Sequence, residues 1–336
     1  MAYWTKTNGR IQCLICPHNC KVAEGKTGVC GVRKNNGNEI ELITYGIISG
    51  YSLDPVEKKP LYHFYPGYNI LSAGSFGCNM RCDFCQNYQI SQEVRISGKK
   101  MSPEDLVLDA WSSQRNIGLA FTYNEPTISF EFIRDAGIVA KIAGLKTVLV
   151  SNGYVNKEPL EEITGFIDAF NIDLKAFNQA SYKILTGTDL EPVKKSLKII
   201  AASGRHLEIT SLIIPGHNDK PGDMVTQAEW IAGELGKHIP LHLSKYYPTY
   251  KRDDPATSQE TLERLYEIAS ERLDYVYLGN TRSGSGQDTH CPKCHETVTR
   301  RSGYSTTLFN LDQEGRCINC GTPVYRNFTF SLPKER

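Results

Sequence analysis

Eleven cysteines in a chain of 336 residues fall into three groups with none left over. They are Cys13, Cys16, Cys20 and Cys30; Cys78, Cys82 and Cys85; and Cys291, Cys294, Cys317 and Cys320. Disulfide frameworks staple short secreted chains that lack a core, whereas this chain is long and 40% hydrophobic. Thiols separated by two or three residues read instead as metal ligands. The groups also partition the chain. A Cys/Gly/Asn-rich module is expected over 1–50, an aromatic connector over 51–69, a central domain over 70–283 and a second four-cysteine module over 284–336.

The central region has its own rhythm. Short apolar runs at 70–75, 117–123, 147–151, 169–174, 207–214, 240–243 and 275–278 alternate with amphipathic stretches of about a dozen residues, the signature of βα units on a parallel sheet. Ser102-Pro103-Glu104-Asp105 opens one helix with an N-cap, a first-turn proline and early acids. Further helices are expected over 127–143, 192–203, 221–235 and 258–273. Six βα repeats are too few for a closed eightfold barrel, so the fold class is α/β, a partial (β/α)6 TIM-like barrel carrying two small metal modules.

Charge narrows the partners. With 38 basic and 37 acidic residues the net charge is +1, which gives no reason to expect nucleic acid or an acidic membrane. No apolar run approaches a membrane span, and residues 1–20 lack the apolar core of a signal peptide, so a cytoplasmic address is expected.

The run Gly77-Cys78-Asn79-Met80-Arg81-Cys82-Asp83-Phe84-Cys85 directly follows the first strand, where barrel folds put their chemistry. Three thiolates can hold three corners of a cubane cluster and leave the fourth iron open. The bland alternative is a structural knuckle or a zinc site completed by a distant ligand.

Cys-x3-Cys-x2-Cys with Phe84 inside it, after the first strand of a βα series, resembles the radical SAM superfamily. That resemblance implies a [4Fe–4S] cluster on Cys78, Cys82 and Cys85 whose open iron binds S-adenosylmethionine. It further implies reductive cleavage to a 5′-deoxyadenosyl radical, fed by an electron donor such as flavodoxin or ferredoxin. Tyr123-Asn124-Glu125-Pro126 stands where the family has Gly-Gly-Glu-Pro, with Glu125 kept and both glycines replaced. Ser151-Asn152-Gly153 resembles the Thr-Asn-Gly of glycyl-radical activating enzymes, with Val150 in place of their preceding acid. Asp173-Leu174-Lys175 matches their Asp-Leu-Lys, in which the lysine pairs with the methionine carboxylate, and His242 matches their sixth strand end. Phe84, Tyr123, Asn124, Glu125, Ser151, Asn152, Asp173, Lys175 and His242 are therefore the expected cofactor contacts. Over its whole length the chain is similar to the radical SAM component of the AmmeMemoRadiSam system, which implies two companion proteins.

The outer groups stay open at this point. Cys291-x2-Cys294 and Cys317-x2-Cys320 read as a zinc ribbon, or as a rubredoxin-like iron site. Cys13, Cys16, Cys20 and Cys30 fit zinc or an auxiliary iron–sulfur cluster. Three functions compete: radical activation of a protein or peptide, radical chemistry on a small molecule or lipid, and a zinc-dependent scaffold without catalysis. In the connector, Lys58 and Lys59 read either as a solvated turn or as cations for an anionic substrate.

Overall fold

A parallel strand covered on both faces needs a near-continuous apolar run, and seven such runs build the central sheet. In the computed structural model, which describes residues 2–7, 9–281 and 284–326, they are Asn69–Gly74, Asn116–Phe121, Lys146–Ser151, Ala169–Asp173, His206–Ile213, Leu241–Lys245 and Val276–Gly279. Each pairs in parallel with its neighbours in chain order. Among the described strands the two edges of the sheet do not pair, so the barrel is partial and open, as the sequence leads one to expect.

An eighth strand, Gly50–Pro55, extends the sheet antiparallel to the first, with Gly50 opposite Gly74 and Pro55 opposite Asn69. The expected boundary at 70 thus falls inside the sheet. Two further helices, Lys157–Thr164 and Gln179–Thr186, join the expected ones. The helix Pro103–Ser112 starts as read: Ser102 and Asp105 exchange backbone-to-side-chain bonds of 3.1 Å in a capping box. Among the described residues no helix is long and apolar enough to cross a membrane.

The connector plugs the N-terminal end of the barrel. Backbone N–H groups of Tyr62 and His63 donate to the buried Glu208 carboxylate at 3.0 and 2.7 Å. Nε2 of His206 and of His242 lie 2.8 and 2.6 Å from the same carboxylate. Burial pushes this carboxyl up, but the bonds from the two histidines hold it well below the usual range. Asp54 pairs with both Lys58 and Lys59, at 2.8 and 2.7 Å; Lys59 is buried in the pair while Lys58 stays largely exposed.

The C-terminal module docks beneath that plug. Its hairpin, Thr297–Ser302 with Ser305–Leu308, carries Arg301, whose buried guanidinium donates to Tyr62 O at 2.9 Å and covers the Tyr62 ring at 4.1 Å. Thr306 Oγ1 donates to Glu57 at 2.7 Å. Residues 327–336 of the expected module lie outside the described residues.

The N-terminal module takes the other end. Its short antiparallel strands, Trp4–Thr7, Arg10–Cys13 and Lys21–Val22, then Arg33–Asn35 with Ile40–Leu42, lie over the loops that leave the first three barrel strands. Asn156, beyond the third strand, donates to Leu14 O at 2.8 Å, and His18 Nε2 lies 2.7 Å from Asn79 O.

Candidate active site

The loop between the first strand and the helix Tyr88–Ser91 carries Cys78, Cys82 and Cys85, all three as free thiols. Its geometry begins at Gly77, where φ is +85° and a Cβ would meet Cys30 O at 2.5 Å, so glycine is required. Asn124 clamps the loop entrance. Its Oδ1 accepts from Ser75 N at 2.9 Å and its Nδ2 donates to Phe76 O and Gly77 O at 3.1 and 3.2 Å. Asn87 ties the loop exit to Tyr123 O at 2.8 Å.

Neighbouring strand ends close around the loop. Asn152 Nδ2 donates to Asn79 Oδ1 at 2.9 Å and lies 3.7 Å from Cys78 Sγ. Lys175 Nζ is 3.0 Å from Asp173 and 5.7 Å from the centre of the Phe84 ring. Burial works against the Lys175 ammonium, yet the Asp173 carboxylate and the Cys82 sulfur lift its pKa above the usual range. Conversely, burial pushes the Cys82 thiol up to about 12, while the Lys175 charge pulls it back. Cys78 is raised well above the ordinary thiol range by burial and by the Glu125 carboxylate. Both thiols are therefore protonated at neutral pH unless a bound metal compensates their charge.

Spacing identifies what the loop fits. Two thiolates on one zinc, each about 2.3 Å from it, stand no more than about 4.6 Å apart. Among the described residues, the C-terminal quartet alone gathers three or more His, Cys, Asp or Glu ligand atoms within 4.8 Å of one another. Cys78, Cys82 and Cys85 are therefore not drawn together as the ligands of a single ion are. In the C-terminal quartet, Cys291 and Cys320 sulfurs are 3.5 Å apart and those of Cys294 and Cys317 are 3.6 Å apart, the spacing of a single tetrahedral ion.

The other expected contacts divide. Glu125 is buried and already engaged: Oε1 accepts from Thr127 N, Thr127 Oγ1 and Ser151 Oγ at 3.0, 2.6 and 2.8 Å, and Oε2 from Asn152 N at 2.8 Å. Tyr123, with φ of +72°, turns its hydroxyl down to Asp54 at 2.8 Å. His242 is not brought to the loop. Its ring lies at the barrel floor, bonded to Glu208 and edge-on to Tyr62 at 4.8 Å, because its strand position faces the connector rather than the thiols.

Sequence reading missed Arg252. Its guanidinium grips the middle of the cysteine loop through both Asp83 oxygens, at 3.0 and 2.7 Å, while Lys251 N donates to Asp83 O at 2.9 Å. The charged turn Lys251-Arg252-Asp253-Asp254 is the local signal that could have flagged it.

The molecule is thus an α/β partial barrel with three thiols on the loop after its first strand and the partly buried Lys175 ammonium beside them. Comparison with known proteins gives the family. Residues 74–228 match the radical SAM superfamily. An uncharacterized protein of Methanocaldococcus jannaschii is 38% identical over 329 residues, covering 96% of this chain and 98% of that protein. Pyruvate formate-lyase 1-activating enzyme of Escherichia coli K12 is 25% identical over 212 residues, 57% of this chain and 85% of that enzyme. A radical SAM methyltransferase from Sphaerobacter thermophilus shares the fold with a TM-score of 0.52 at 15% identity, over 66% of this chain and 68% of that one. The chain belongs to the radical SAM superfamily and is a radical SAM enzyme, which sets aside the non-catalytic scaffold. Family membership supplies the [4Fe–4S] cluster and S-adenosylmethionine as its cofactors.

Proposed function

We propose that this enzyme activates a protein or peptide by hydrogen abstraction, with electrons from a flavodoxin- or ferredoxin-type donor. The observation that carries the reading is the juxtaposition of the Cys78, Cys82 and Cys85 loop with the Asp173–Lys175 pair at the open end of the sheet. Similarity to pyruvate formate-lyase 1-activating enzyme supports an activase-like role. An unpaired sheet edge supports a large substrate. Kinship with the AmmeMemoRadiSam enzymes, read from the sequence, makes the two companion proteins of that system the first substrates or partners to try.

Cys78, Cys82 and Cys85 would hold the cluster, which when bound supplies the electron for reductive cleavage of S-adenosylmethionine. Lys175 would receive the methionine carboxylate, its ammonium held by Asp173 at 3.0 Å. Asn152 orients the loop through Asn79, and Arg252 through Asp83. Tyr123, Asn124, Glu125 and Ser151 set the shape of the strand ends beside the cysteine loop, where the cofactor would bind.

Lys175→Ala removes one charge-assisted contact and should weaken S-adenosylmethionine binding to the anoxically reconstituted enzyme by about 1.5–3 kcal/mol. Equilibrium binding reads this directly, and unchanged affinity would take Lys175 out of the site. Product analysis tests the function itself: anoxic incubation with cofactor, reductant and each companion protein should yield 5′-deoxyadenosine together with a modified protein. Cofactor cleavage that never alters either companion would reject them as substrates.

The C-terminal quartet is proposed to hold zinc, since its sulfur spacing suits a single ion and the module has only a small core of its own. Cys291→Ser should then lose about one zinc per chain without loss of iron. Loss of one iron with zinc unchanged would mark a rubredoxin-like centre instead.

A further inference from the structure

The N-terminal quartet resembles the central loop and not the C-terminal ribbon. No three of Cys13, Cys16, Cys20 and Cys30 bring their sulfurs within 4.8 Å of one another, although all four line one hollow. Arg33 and Ile128 help to wall that hollow. A zinc ion would need the sulfurs about 3.8 Å apart, as the C-terminal quartet has them. The chain thus contains its own two standards. Single-ion spacing is seen at the ribbon, and wider spacing at the loop whose family ligates a cluster.

A second observation points into the hollow. Arg33 is 1% exposed, and its terminal nitrogens donate to Glu131 at 2.8 and 2.7 Å and to Ile128 O at 3.0 Å. Its Nε–H is buried with no acceptor among the described residues. A buried donor without a partner is costly, and because Arg33 lines the hollow an anion held there would lie beside it. The site is also firmly seated, because Cys30 O packs on Gly77 and Val29 O accepts from Arg81, both in the central cysteine loop.

We propose that Cys13, Cys16, Cys20 and Cys30 hold a second [4Fe–4S] cluster, with all four irons ligated by protein. With no open iron, this cluster cannot bind S-adenosylmethionine. The inference rests on the N-terminal module alone and stands or falls separately from the substrate reading above.

The test is elemental analysis and electron paramagnetic resonance on the full chain, reconstituted anoxically with iron and sulfide. Wild type should carry about eight irons and eight labile sulfides, and Cys78→Ala/Cys82→Ala/Cys85→Ala about four of each. The reduced triple variant should show a [4Fe–4S]+ signal that S-adenosylmethionine does not alter. Adding Cys13→Ala and Cys20→Ala should abolish the remaining iron and sulfide. A triple variant with no labile sulfide and two zincs per chain would overturn the proposal. If the five-site variant does not fold, the triple variant decides by itself: about four irons and four sulfides bear the proposal out, and none would overturn it.

Discussion

Cys78→Ala/Cys82→Ala/Cys85→Ala is expected to form no 5′-deoxyadenosine while unfolding within roughly 5 °C of the metal-free wild type. The two properties separate because the thiols do not hold the loop. Its backbone is pinned by Gly77 N to Ile90 O at 2.8 Å and Arg81 N to Thr186 O at 2.9 Å, and its side chains by Asn79, Asn87 and Asp83. Cys82 is buried and Cys78 and Cys85 partly so, and truncation to alanine leaves a small void and gives up only long sulfur contacts, such as Met80 N to Cys78 Sγ at 3.4 Å. The measurement is a melting curve beside chromatographic product analysis. Deoxyadenosine at the wild-type level would remove the loop from the chemistry. A collapse of the melting temperature would instead make the thiols structural.

Glu125→Ala carries the largest expected cost in stability. The side chain joins the ends of the second and third strands, and its loss leaves two backbone N–H groups and two hydroxyls without their acceptor. Burial pushes this carboxyl above the usual range, and the bonds from Thr127, Asn152 and Ser151 work the other way. Removing a buried, multiply bonded acceptor of this kind costs about 3–5 kcal/mol. Urea unfolding should show that loss as a shifted midpoint. S-adenosylmethionine cleavage should fall with it, because Asn152 and the Pro126–Ser129 turn lose their registration. A change below about 1 kcal/mol would show that the four donors find other partners.

The parts of the fold that were legible in the sequence are those governed by near-continuous burial. All seven parallel strands announced themselves as apolar runs because helices and connector cover both faces. Gly50–Pro55 did not, since its first four residues are exposed and its neighbours read as a linker. Lys157–Thr164 and Gln179–Thr186 are eight residues each, too short for a helical period to stand out. Asn178 at one cap and Gly187 at the other, with φ of +74°, were nevertheless visible signals.

At the site, spacing along the chain singled out the three thiols, and resemblance to an Asp-Leu-Lys motif singled out the Asp173–Lys175 pair, because each set lies on one loop or strand end. Arg252 was out of reach for the opposite reason: its partner Asp83 is 169 residues away, and only the folded chain joins them. His242 misled because a histidine near a strand end looks the same whether it faces a cofactor or a buried glutamate. Glu208, which decides the matter, gives no sign in the sequence that it will be buried.

The central claim is that three thiolates leave one coordination position for S-adenosylmethionine at the Cys78–Cys85 loop. Electron paramagnetic resonance of the reduced, reconstituted wild type, recorded with and without S-adenosylmethionine, tests it most directly. A [4Fe–4S]+ signal that changes on adding the cofactor, in wild type but not in Cys78→Ala/Cys82→Ala/Cys85→Ala, is the predicted result. Identical wild-type spectra at saturating cofactor would contradict the account.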